Sequence, residues 1–145
     1  MTAKAAADAL VAAVRAHDLD AVAAAVKGGK IDVVPLDLKG SASAKAKEFF
    51  GPLFTSFPDL EVAIGKAVIS GDNALLDVTL TGTQKEPYLD VPTRDGKSLN
   101  SRQAWRIEAS GDTVASLRIY FCTNELKWSL GANKTYEEAI AGARV

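Results

Sequence analysis

Only one cysteine, one histidine and one methionine occur among the 145 residues. A lone Cys122 cannot close an intrachain disulfide, and one thiol with one imidazole is too few for a His/Cys zinc site. Metal-dependent catalysis is therefore not expected. An excess charge of one sign is lacking too, because 17 Lys and Arg face 18 Asp and Glu for a net charge of -1. With no positive field to collect phosphates, nucleic acid is a poor candidate for the main partner. The N-terminal stretch has no uninterrupted apolar run: Lys4, Asp8 and Arg15 divide its alanines, so it reads neither as a signal peptide nor as a membrane span. No membrane association and a cytoplasmic location are expected. No glycine-rich loop matches a phosphate cradle, and no cofactor is implied.

What is present suits one soluble domain over residues 1–145. At this length, folding buries roughly 70% of the surface that the unfolded chain exposes, enough for a core. Alanine dominates Ala3 to Ala16, where Leu10, Val11 and Val14 form a short stripe, giving a helix with a thin apolar face. Asp18 or Asp20 can cap a second helix bearing Leu19, Val22 and Val26, which Gly28-Gly29 ends. Ile31 to Val34, closed by Pro35, reads as a small edge strand or an extended connection. After Gly40-Ser41-Ala42-Ser43 a third helix carries Phe49, Phe50, Leu53, Phe54 and Phe57 on one broad face, with a kink expected at Pro52. Core packing accounts for that face, and one edge of it is available to a ligand cavity.

Four strands follow, at about Glu61 to Ser70, Ala74 to Thr83, Ser98 to Ala109 and Thr113 to Asn124. Gly71-Asp72, Asp95-Gly96 and Gly111-Asp112 supply turn chemistry between them. Gly65 inside the first strand suggests a bulge that increases twist. Gln84 to Thr93, with Pro87 and Pro92, is a longer excursion able to cover a pocket mouth. Thr135 and Glu138 have capping-box spacing and announce a C-terminal helix at about 135–144, with Tyr136, Ile140 and Ala143 on its packing side.

The order of elements, with Phe57-Pro58-Asp59-Leu60, Thr81-Gly82-Thr83, Pro92-Thr93, Gly96-Lys97 and Leu130-Gly131 among the marks between them, resembles the SnoaL-like polyketide cyclases of the nuclear transport factor 2-like superfamily. The resemblance covers roughly residues 18 to 131. It implies an α+β cone fold in which N-terminal helices pack on a strongly curved antiparallel sheet and enclose a pocket. Superfamily members commonly dimerise through the sheet, so a homodimer is expected. In these cyclases the last long strand carries a pocket aspartate that acts as general acid/base, nine residues before a terminal Leu-Gly dipeptide. Counting back from Gly131 puts Cys122 there. A thiol buried among apolar groups stays protonated and cannot replace a carboxyl whose pKa is raised toward neutrality.

Two readings of the chemistry follow. In one, another acid has taken over, with Asp77 and Glu108 as candidates for cyclase or isomerase-type proton transfer. In the other, the cavity binds a hydrophobic small molecule without catalysis: Tyr120 and Arg118 orient its polar group, and Trp105, Phe54 and Phe57 pack its body. Strand alternation puts Leu117, Ile119 and Phe121 on one face and Arg118, Tyr120 and Cys122 on the other, and either face can line the interior. A module with a self-filled cavity, serving only dimerisation, is the structural alternative. His17 reads as a surface or capping imidazole at a helix junction, and a Cys122-His17 nucleophilic pair would need two distant segments to meet.

Overall fold

The computed structural model describes residues 3–93 and 97–132. Helix α1, Ala3–Arg15, buries Ala3, Ala6, Ala7, Leu10, Val11, Ala13 and Val14, a stripe at spacings of three and four. His17, at φ 54°, turns the chain. The Asp18 side chain accepts from the Ala21 amide at 3.0 Å and starts helix α2, Leu19–Ala25. Strand β1, Lys30–Val33, passes through a single 3₁₀ turn into β2, Leu38–Ser41. Helix α3, Ala42–Ser56, continues through Pro52 and buries Phe49, Phe50 and Leu53.

Strands β3 (Glu61–Ser70), β4 (Asn73–Thr83), β5 (Ser98–Ser110) and β6 (Thr113–Phe121) complete a six-stranded sheet in the order β2-β1-β6-β5-β4-β3. From β3 to β6 the sheet is antiparallel as expected, but β1 lies parallel to β6, so the whole sheet is mixed. The turn at Gly71, φ 59°, reverses β3 into β4. The Asp95-Gly96 turn and the helix expected at about 135–144 lie outside the described residues.

The core forms where α1 and α3 meet the inner face of the sheet. Trp105, Ile107, Leu117 and Ile119 are fully buried there, and Phe50 packs edge-on to Trp105 at 5.7 Å and to Phe49 at 4.9 Å. The apolar face of β6 is thus the inner one, while Arg118 and Tyr120 point to the outer, convex face. Each such ring contributes about 1.5–3 kcal/mol by leaving water.

One boundary departs from expectation. Strand β6 ends at Phe121, short of Asn124, and helix α4, Thr123–Ser129, follows. Past that point β5 has no strand on its β6 side, and α4 supplies the missing acceptors: Glu125 Oε1 accepts from the Arg102 amide at 2.9 Å and Ser129 Oγ from the Asn100 amide at 3.0 Å. Leu126 and Leu130 are buried beneath. An i, i+4 pair of acceptors on one side and a Leu pair on the other suit a helix, not an alternating strand.

Candidate functional site

Helix α1 is tethered to β3 at both ends. The Ala3 amide donates to the Gly71 carbonyl at 3.4 Å, and Arg15 donates through Nε and Nη2 to the Val62 carbonyl at 3.1 and 3.0 Å. Beside Arg15, His17 Nε2 donates to the Leu60 carbonyl at 2.9 Å while its ring stacks on Phe54 at 4.9 Å. Between the tethers the two elements stand apart, leaving a groove of about 740 Å³.

The sequence explains both the space and its apolar character. Ala7 and Ala12 of α1 and Ala16 just beyond it line the groove and lack the bulk to fill it. On the other wall the register of β3 against β4 shifts between Ile64 and Ala67, so the bulge foreseen at Gly65 is present. That extra residue exchanges the faces of the strand: Ile64, Ala67 and Ile69 line the groove, whereas Lys66 and Val68 line a shallow convex-side depression of about 270 Å³. Without the bulge, Lys66 would take the place of Ala67. A Cβ at position 65 would lie 2.9 Å from Asp77 Oδ2, so the tip of that exposed side chain would have to turn aside. Val11 and Leu76 extend the apolar lining.

Three charged residues line the groove: Lys4, Asp8 and Arg15. Lys4 Nζ pairs with Asp8 Oδ2 at 2.7 Å. Arg15 is held by a backbone carbonyl alone among the described hydrogen bonds and ion pairs. Among the described residues no cluster of three or more His, Cys, Asp and Glu could hold a metal.

The residues singled out from the sequence fall in three places. Trp105 and Phe57 are buried in the aromatic core, where Phe57 meets the Tyr88 ring edge-on at 5.3 Å, and Phe54 packs half-buried between His17 and Phe50. The Gln84–Thr93 excursion thereby packs onto the core: Ser56 Oγ donates to the Pro87 carbonyl at 3.1 Å, and burial raises the Tyr88 phenol well above its usual range. Asp77, Glu108, Arg118 and Tyr120 lie on the convex face, with Glu108 3.7 Å from Arg106 and Arg118 3.7 Å from Asp32. Cys122 is exposed at the N-cap of α4, one residue past the end of β6 and in alternation with the outward-facing Arg118 and Tyr120. His17 and Cys122 belong to separate regions; His17 ties α1 to β3. Sequence reasoning missed the wall formed by Val11, Ile64, Ala67 and Ile69, although the thin stripe of α1 and the Gly65 bulge were its two signals.

Comparison with known proteins places this geometry. The model of the SnoaL-like polyketide cyclases matches residues 4–123. A search of curated proteins finds no match. Among solved structures, a candidate SnoaL-like polyketide cyclase from Jannaschia sp. CCS1 superposes with a TM-score of 0.72 at 19% identity, over 89% of this chain and 93% of that one. AclR, a candidate hydroxylase from Streptomyces galilaeus, gives 0.76 at 20% identity over 89% and 95%. IdmH, a candidate polyketide cyclase from Streptomyces antibioticus, gives 0.77 at 13% identity over 90% and 99%. These likenesses establish the shared α+β fold.

Proposed function

The chain belongs to the SnoaL-like polyketide cyclase family, and from that premise we propose that it binds a hydrophobic small molecule in the α1–β3 groove without catalysing a reaction on it. The observation that carries this reading is the groove itself: about 740 Å³, walled mainly by Ala, Val, Ile and Leu. Sites for small molecules commonly fall between roughly 300 and 1,000 Å³, and apolar walls with a few polar groups are their usual make-up.

The distribution of acids supports binding over proton transfer. A carboxyl group that moves protons near neutral pH needs a desolvated setting beside the reacting atom. Asp8 is the acid lining the groove, yet its side chain is 66% exposed and engaged by Lys4. Asp77 and Glu108 face the opposite side of the sheet. Family membership brings cyclase chemistry into view, but among the described residues no desolvated acid lines the groove to perform it.

A thermal-shift titration with polycyclic aromatic and terpenoid compounds tests the proposal. A bound ligand raises the melting temperature by mass action, so at a hundredfold excess over Kd the stabilisation is about 2.7 kcal/mol. Ala12→Trp fills the groove from an exposed position and abolishes the shift if the ligand sits there. A shift retained in Ala12→Trp, or none across the panel, contradicts the reading.

A further inference from the structure

Resting on the groove-binding reading, we infer that the natural ligand is an amphipathic monocarboxylate whose acid group is held by Arg15 while its apolar body lies along α1 toward Lys4. The groove contains Lys4, Asp8 and Arg15, a net charge of +1. The Lys4–Asp8 pair is closed on itself at 2.7 Å. The uncompensated charge therefore resides on Arg15, and the Val62 carbonyl that orients it is neutral. Two hydrogen bonds from Nε and Nη2 fix the guanidinium plane at one end of the groove and leave Nη1 for a ligand. A planar cation already held in place is well suited to a carboxylate, because the ordering cost of a free arginine has been met by the fold.

Arg15 and Lys4 are eleven positions apart on one helix, about 16 Å at 1.5 Å per residue. Val11, Ile64, Ala67 and Leu76 line that interval. An extended chain or fused-ring body of that length, with the acid at one end only, satisfies the arrangement. A dicarboxylate does not, since Lys4 already has its counter-ion.

Fluorescence titration with 1-pyrenebutyrate and 1-pyrenebutanol, which share one apolar body, separates this inference from the reading beneath it. The full chain is expected to bind the acid about tenfold more tightly than the alcohol, and added salt to weaken only the acid. Arg15→Gln is expected to bring the acid down to the alcohol's affinity, while Arg15→Lys keeps part of the preference. Ala12→Trp is expected to lose both probes. Equal affinities in the unmodified protein, or a preference that survives Arg15→Gln, overturn the carboxylate inference and leave the groove reading standing. Absence of binding by either probe, or unchanged binding in Ala12→Trp, overturns both. Should Arg15→Gln fail to fold, the salt dependence of the two probes on the unmodified protein decides the matter alone.

Discussion

Asp59, in the turn between α3 and β3, shows how one side chain sets local geometry. Its Oδ1 accepts from the Thr83 amide at 2.7 Å, binding the start of β3 to the far end of β4. That hydrogen bond favours the charged form and holds the carboxyl below its ordinary value of 3.8. The folded pKa lies below the unfolded one, so the stabilisation is present above pH 3.8 and is lost as pH falls through the folded value. Asp59→Asn should therefore lower stability by about 0.5–1 kcal/mol at pH 7, the site being largely solvated. Thermal melts of the two proteins should converge as pH is brought down toward 2, and a gap that stays constant would remove the charge from the explanation. The mark Phe57-Pro58-Asp59-Leu60 was legible as a boundary. Its partner Thr83 lies 24 residues on and is set only by the register of β3 on β4. Cys122 teaches the opposite lesson: counting along the chain located it, but the environment of its thiol depended on which face of β6 packs inward, and that face is the one bearing Leu117 and Ile119.

Among the elements, α4 and the bulge of β3 carry the clearest consequences. Leu126 is fully buried, and truncating it to alanine is expected to cost about 2–5 kcal/mol, measurable by denaturant unfolding. Arg102 hydrogen-bonds Glu125 through its side chain and its amide and keeps that carboxyl below the usual range. Substituting Glu125 by alanine should leave the Arg102 amide without its acceptor and speed its hydrogen exchange relative to the amides of β4. At the bulge, deleting Gly65 should remove the extra residue and bring Lys66 to the groove in place of Ala67, lowering affinity for an apolar ligand more than Val68→Ala on the other face does. The helices α1 to α3, the four long strands and the bulge were readable because each has its own period or breaker residue. Strand β2 and helix α4 were not. Leu38-Lys39-Gly40-Ser41 has no strand alternation and exists through pairing with β1, and α4 follows β6 with neither proline nor glycine between them.

For the molecule as a whole, the convex face raises the question of a second copy, and we propose that two copies meet there. Val68, Leu75 and Tyr120 are 54%, 46% and 38% exposed on it. Its arginines would enter an interface already paired: Arg102 with Glu125, Arg106 with Glu108 and Arg118 with Asp32. That limits the cost of burying them. Sedimentation velocity should show a dimer that Leu75→Asp dissociates; a monomer at all accessible concentrations would contradict it. No helix among the described residues is long and apolar enough to cross a membrane. The fold class was legible at this scale from the succession of helices and punctuated strands. The groove was not, because it arises from two tethers between α1 and β3 that no local pattern encodes. The most direct test of the account is amide chemical-shift mapping of the ¹⁵N-labelled chain as 1-pyrenebutanol is added. Shifts confined to 4–16 and 62–76 are the expected result, and shifts that fall instead on the convex residues of β5 and β6, or none at saturating probe, would contradict it.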